Sequence, residues 1–344
     1  MNLSIQSTLK LSIQETNVIK GIALIFLLWH HLFYTGDMPV DDIIIGQYKL
    51  VLTTGVWCKV CVAIFVFLSG YGLTVSAEKN GGIGNIWQFY KKRYVKLMMN
   101  YWFIYLVFVP FGVFLMGRTF ESVYGDNYVL PAIVDFLGLF QSIYGSPYGY
   151  NPTWWFYGCI IVLYLFFPLL YKCKNYWYLL IPLAIVFNTI AFHITFISPC
   201  GGYLLSFVCG MSLALNPIKK MNGGGKNILW LFVAFCVIAW YRLHSTHVFL
   251  WDAMISLALT ILYAHLTLPE FISKSLAFIG RHSFNIFLFH TFLFSLYFRD
   301  YIYWTTNSIL IFVTLFVACI ITSVALEYVK EHLGINKLQK YLTK

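Results

Sequence analysis

Of 344 residues, 60% are hydrophobic, 20% aromatic and only 10% charged, and the mean hydropathy is +0.74; a soluble domain carries roughly a quarter charged residues. This excludes an ordinary soluble domain and predicts an all-α, polytopic membrane bundle. The net charge of +10 does not point to nucleic acid, because the basic residues sit in short loops between apolar runs, where positive charge sets membrane orientation.

Apolar windows of about 20 residues predict about ten transmembrane helices. They run from Val18 to Phe33, Val56 to Ser76, Leu97 to Met116, Trp155 to Tyr171, Trp177 to Phe196, Gly201 to Leu215, Ile228 to Leu243, Leu250 to Thr267, Leu276 to Phe298 and Ser308 to Tyr328. The first run reads as a retained helix rather than a cleaved signal: no small-residue cleavage site follows it, and Asp37, Asp41 and Asp42 do. With ten spans, Lys10, Lys79, Lys91, Lys92, Arg93, Lys96, Lys172, Lys174, Lys219, Lys220, Lys226, Lys330, Lys337, Lys340 and Lys344 share one side. Asp37, Asp41, Asp42, Glu121, Asp126 and Asp300 fall on the other. The positive side is the cytoplasmic one, so both termini are expected there, with the chain multi-pass in a plasma (inner) membrane.

Residues 1–344 read as a single transmembrane domain with no internal repeat, heptad or appended soluble domain. The MNGGGK stretch from Met221 to Lys226 is a turn lacking the flanks of a phosphate loop. The eight cysteines lack the spacing of a zinc or redox site, so no metal is expected. One outer loop stands apart. Gly117 to Trp154 is long and ends in YGSPYGYNPTWW, and loops of that length carry function or are disordered. Its Tyr144, Tyr148, Tyr150 and Trp154, with Trp155, suit either an interfacial aromatic belt or a stacking surface for sugar rings.

Three constellations carry candidate chemistry. On the first helix, His31 follows Lys20 by eleven residues; at about 100° per residue both project from one face, roughly 16 Å apart, while His30 points away. Ionisable groups inside a membrane mark function by default. On the third helix, Arg93 and Lys96 project from one face after Lys91 and Lys92, a spacing suited either to phosphate groups or to setting topology. On the ninth, Ser283, Phe287 and His290 form one stripe, with Gly280 allowing close backbone approach and Arg281 and His282 nearer the cytoplasm.

Together these segments resemble the acyltransferase-3 family of integral membrane acyltransferases, which modify cell-surface sugars with acetyl or related groups. The carriers are KGIALIFLLWHH, IFVFLSGYGL (Ile64 to Leu73), FYKKRYVKL (Phe89 to Leu97), TWWFYGCIIVLYLFFPLL (Thr153 to Leu170) and IGRHSFNIFLFH (Ile279 to His290). The resemblance implies an essential histidine at His31 after a basic residue at Lys20, where arginine is more usual. It also implies a basic pair at Arg93 and Lys96, with lysine in place of the second arginine, and a Ser-Gly pair at Ser69 and Gly70. Tyr157, Gly158 and Cys159 follow TrpTrpPhe where a peptidoglycan-modifying branch has a glutamate, which favours the polysaccharide or lipid-linked sugar branch.

The implied reaction is acyl transfer from acetyl-CoA, or a similar short acyl-CoA, to a hydroxyl of a cell-surface polysaccharide or lipid-linked sugar. Such a transfer needs a base and an oxyanion stabiliser. His31 is the expected base or transient acyl carrier. Arg93 and Lys96, with Lys92 and Ser69 beside them, are expected to hold the donor, and Lys20 to orient its thioester end. The acceptor is expected to enter past Tyr150, Trp154 and Trp155, with Ser283 and His290 supporting the site. The alternative is a multi-span transporter or flippase for a glycan or small anionic solute.

Overall fold

The computed structural model describes residues 8, 10–145, 149–191, 194, 197–218 and 225–343. Tyr148, Lys219, Lys220, residues 221–224 of the MNGGGK turn, the last residues of the fifth expected span and Lys344 lie outside them.

The chain is a helical bundle: α1 (Ile13–Phe33), α2 (Leu50–Trp57), α3 (Cys61–Lys79), α4 (Ile86–Leu115), α5 (Phe120–Tyr124), α6 (Val129–Phe136), α7 (Phe140–Tyr144), α8 (Trp155–Lys172), α9 (Trp177–Ala191), α10 (Ser198–Gly201), α11 (Leu204–Leu215), α12 (Gly225–His244), α13 (Val248–His265), α14 (Glu270–Thr291), α15 (Arg299–Ile302), α16 (Ser308–His332) and α17 (Ile335–Leu342). A two-residue hairpin, Ile44–Ile45 with Tyr48–Lys49, is the only sheet among the described residues.

Each of the ten expected segments contains helix among the described residues, but seven described stretches are long and apolar enough to cross a membrane. The other three fall short for physical reasons. The described parts of α9 and α11 have 15 and 12 residues, and α14 carries Glu270, Lys274 and Arg281 between its start and its middle.

The first helix begins earlier than its apolar run. Ser12 accepts from the Glu15 amide at 3.1 Å while the Glu15 carboxylate accepts from the Ser12 amide at 2.7 Å, a reciprocal cap that fixes the start at Ile13. Lys20 therefore lies well inside the helix and His31 in its last turn. His31 thus lies near the end of the helix opposite Lys20, in keeping with its place close to the end of the run from Val18 to Phe33.

Close helix crossings set the register. A Cβ added to Gly21 would overlap the Leu276 carbonyl, and one added to Gly280 would overlap the Asn17 carbonyl. Two facing glycines thus bring α1 and α14 into backbone contact. The two helices run in the same direction, since Lys20 lines a cavity with Gly280 and Ser283 while His31 meets His290 further along. Gly70 and Gly210 make the same kind of crossing between α3 and α11.

Candidate active site

At the end of the bundle where α1 begins and α16 finishes, a cavity of about 570 Å³ opens among α1, α3, α4, α8, α14, α16 and α17. Its lining includes Lys20, Ser69, Arg93, Lys96 and Ser283, so five expected site residues from four helices converge on one space. Lys20, Arg93, Lys96 and Arg281 face a single carboxylate, Glu327. None of the four basic residues has an ion-pair partner among the described residues. Arg93 is braced by a 2.9 Å hydrogen bond to Ser76 Oγ and by the Phe89 ring below its guanidinium, which leaves a fixed fork suited to phosphate oxygens. Ser69 and Ser283 donate back to their own helices, to the Phe65 and Gly280 carbonyls. Their oxygens keep acceptor capacity toward the cavity. Lys92 is exposed and does not line this space.

Glu327 is committed elsewhere. Lys330, only 1% exposed, donates to Glu327 at 2.9 Å and to the side-chain oxygens of Asn100 and Asn285, both at 2.8 Å. Asn285 in turn donates to Glu327 at 2.5 Å. All three ammonium protons thus have acceptors, as a buried lysine requires. The closed network turns Asn100 and Asn285 into rigid polar walls and leaves the cavity's excess positive charge unneutralised.

The cavity ends inward at the rings of Phe65, Phe156 and Phe287. The Phe156 and Phe287 centroids are 5.0 Å apart, edge to face, and Phe287 lies 6.4 Å from His290. Beyond this barrier the histidines gather. The His31 centroid is 4.8 Å from that of His290 and 5.0 Å from that of His30.

The three imidazoles are not equivalent. His30 is buried and donates Nδ1–H to the Gly55 carbonyl at 2.8 Å, which fits a structural bond between helices. His290 is fully buried and donates Nδ1–H to the Ile286 and Phe287 carbonyls. Its Nε2 has no partner among the described residues. The carbonyls dictate the tautomer, so the Nε2 lone pair is free to accept a proton. His31 is half-buried, stacked among His30, His290, Tyr34 and Phe294, with no hydrogen-bond partner among the described residues. An oriented acceptor nitrogen beside a second, accessible imidazole can take and pass a proton. Lys20, roughly 16 Å away along α1, cannot touch the histidine cluster, and its place is with the basic cavity.

A family profile described as an acyltransferase domain matches residues 13–328. The chain belongs to the acyltransferase-3 family. No curated protein and no solved structure matches it. The matched stretch takes in the histidine cluster and all of the cavity lining except Asn336 and Gln339, and in this membrane acyltransferase each group is held in place by neighbouring helices.

The aromatic loop of this acyltransferase differs from the expected sugar-stacking surface. Tyr150 is fully buried and Trp154 is 4% exposed. Trp154 packs on Tyr101, Tyr105 and Phe292 and donates to the Leu288 carbonyl at 2.8 Å. Asn151 donates to the same carbonyl, and Thr153 shares a 2.9 Å hydroxyl contact with Thr291. These groups clamp the stretch that carries His290, just before α14 loosens into a π-helical turn at Phe292–Tyr297, a distortion frequent at functional sites. Trp155 is half-buried and stacked on Tyr203 at 5.8 Å. Neither Tyr150 nor Trp154 therefore offers a free face to a sugar. The reason is that α5, α6 and α7 fold the loop back onto the bundle.

That fold-back is organised by Asp135, which is buried and accepts from Tyr124 at 2.5 Å and from the Tyr150 amide at 2.7 Å. Burial pushes its carboxyl up to about 6 despite these donors. On the opposite side of the bundle, hydrogen bonds to Glu78 and Tyr171 hold the Lys174 ammonium above its usual value.

Proposed function

We propose that this acyltransferase moves an acetyl or similar short acyl group from cytoplasmic acyl-CoA to a hydroxyl of a cell-surface polysaccharide or lipid-linked sugar, in the inner membrane of a bacterium with both termini in the cytoplasm. One observation carries the reading. Unpaired cations gather in a cavity at one end of α1, and imidazole rings, one with an unpartnered Nε2, gather at the other. A coenzyme A thioester has the matching polarity, with phosphates at one end and a long uncharged arm leading to the acyl carbon.

In this reading Arg93 and Lys96 bind the donor's phosphates, aided by Arg281, while Lys20 and Ser69 line the path of the arm. The arm passes the Phe65, Phe156 and Phe287 barrier by displacing the Phe287 ring. The acceptor hydroxyl oxygen attacks the thioester carbon as its proton moves to imidazole nitrogen. The tetrahedral intermediate then expels the coenzyme A thiolate, which takes that proton back. His31 is the group that meets the acceptor or carries the acyl group. His290 Nε2 holds the proton shared between the two rings.

The test is His31→Ala, assayed by mass spectrometry of the surface glycan from cells making either protein. Loss of the acyl mass increment, with unchanged coenzyme A binding by the purified variant, is expected. A glycan still acylated at the wild-type level by His31→Ala would overturn the reading.

A further inference from the structure

The chain continues past its last span into a short helix to which the proposed reaction assigns no chemical role. After α16, Gly334 adopts φ +70° and turns the backbone, and α17 follows with the sequence INKLQKYL. At about 100° per residue its side chains divide into three sectors. Asn336 and Gln339 share one side and line the basic cavity. Leu338 and Tyr341 share the opposite side and are 51% and 74% exposed. Lys337 and Lys340 lie between them, both exposed.

The depth of this helix is fixed by its packing. Gln339 donates to the carbonyl of Lys96, and Lys96 is the last basic residue of α4 before the apolar run from Leu97. That change from basic to apolar sequence marks the expected level of the boundary between headgroups and hydrocarbon on α4. At that depth the three sectors suit three surroundings: bundle, leaflet and water. Trp87 on α4 and Phe271 on α14, 77% and 81% exposed near the same end, fit an aromatic belt at this interface.

We infer that α17 lies flat in the leaflet at this end of the bundle, with Leu338 and Tyr341 inserted among anionic phospholipids, Lys337 and Lys340 on their headgroups, and Asn336 and Gln339 forming a lipid-anchored lip of the cavity. The partner is the anionic lipid surface, because two lysines flank the apolar face and the helix carries no carboxylate. A further consequence rests on the proposed donor: loosening the anchor weakens coenzyme A binding, since the lip is one wall of the site.

The full chain is reconstituted in vesicles with Cys173, Cys209 and Cys236, the cysteines that are not buried, changed to serine. Single nitroxide labels are placed at Lys337→Cys, Leu338→Cys, Lys340→Cys and Tyr341→Cys. Labels at 338 and 341 are expected to collide with oxygen and be shielded from a water-soluble nickel chelate, with the reverse at 337 and 340. The 338 and 341 labels are also expected to sit deeper in vesicles containing phosphatidylglycerol than in phosphatidylcholine alone. Chelate access equal at all four positions would overturn the anchor, and equal depth in both lipids would overturn the anionic partner. Leu338→Asp with Tyr341→Asp is expected to raise the Kd for coenzyme A at least several-fold. If the labels report insertion but the wild-type chain binds no coenzyme A, the donor reading fails and the anchor stands.

Discussion

The two ends of α1 are built on opposite electrostatic plans. Around Lys20 the cations are left open: Arg93, Lys96 and Arg281 have no carboxylate partner among the described residues, and Glu327 is closed off by Lys330. Around His31 the buried charge is closed: Arg242 of α12 pairs with Asp252 of α13, each about 5% exposed, with the Trp57 ring beneath the guanidinium. Open charge binds an anionic ligand, whereas closed charge only permits burial, because an unpaired ion in an apolar medium costs several kcal/mol. One end thus leaves cations free to meet an anion, and the other keeps its buried charge paired.

The comparison can be broken most sharply at His290. Replacement by alanine removes the oriented Nε2 and is expected to cut turnover by about 10² to 10⁴ with donor affinity unchanged; single-turnover kinetics beside a binding titration would check this. If affinity fell and turnover did not, the two ends would not have separate tasks. Arg242→Ala tests the closed charge. It strands Asp252 in the interior and is expected to cost about 3–5 kcal/mol of stability, read as a lower unfolding temperature in detergent. Replacing both partners with apolar residues should recover most of that loss.

Open charge makes a different prediction. Arg93→Ala should raise the Kd for coenzyme A about ten- to a hundredfold, as expected for loss of a charge-assisted hydrogen bond worth about 1.5–3 kcal/mol. The protein should remain folded, since no carboxylate is orphaned. The smallest effect belongs to the outer loop. The Asp135 carboxyl titrates near 6 in the folded protein, against 3.8 for the unperturbed group, so the folded state binds its proton more tightly. That contribution to stability is full below pH 3.8 and is lost as pH rises through about 6. Asp135→Asn should flatten this part of the stability profile, measured by thermal unfolding across the window.

Much of the binding end was legible in the sequence, since Arg93 and Lys96 need only helical periodicity to share a face. Less of the opposite end was. His31 and His290 are far apart in the chain, and they meet because Gly21 and Gly280 let α1 and α14 touch. In the sequence Lys330 reads as a loop charge and Arg242 as a residue at the end of an apolar run, and ionisable residues in such places are the signal that both belong to buried networks. The loop residues Tyr150 and Trp154 misled for another reason. Aromatic side chains suit a ligand surface and a packed core equally well, and only the fold-back around Asp135 distinguishes the two.

By itself the sequence determined the helical membrane bundle, the family and the basic face of α4, because hydropathy and periodicity act over a single helix and its immediate neighbours. Only the tertiary structure decided that His31 meets His290, that Lys330 is buried in a closed network, and which aromatic rings are buried. Those properties depend on partners supplied by distant segments: two glycines letting α1 and α14 touch, Asn100 of α4 and Asn285 of α14 meeting Lys330, and the Leu288 carbonyl of α14 receiving Trp154.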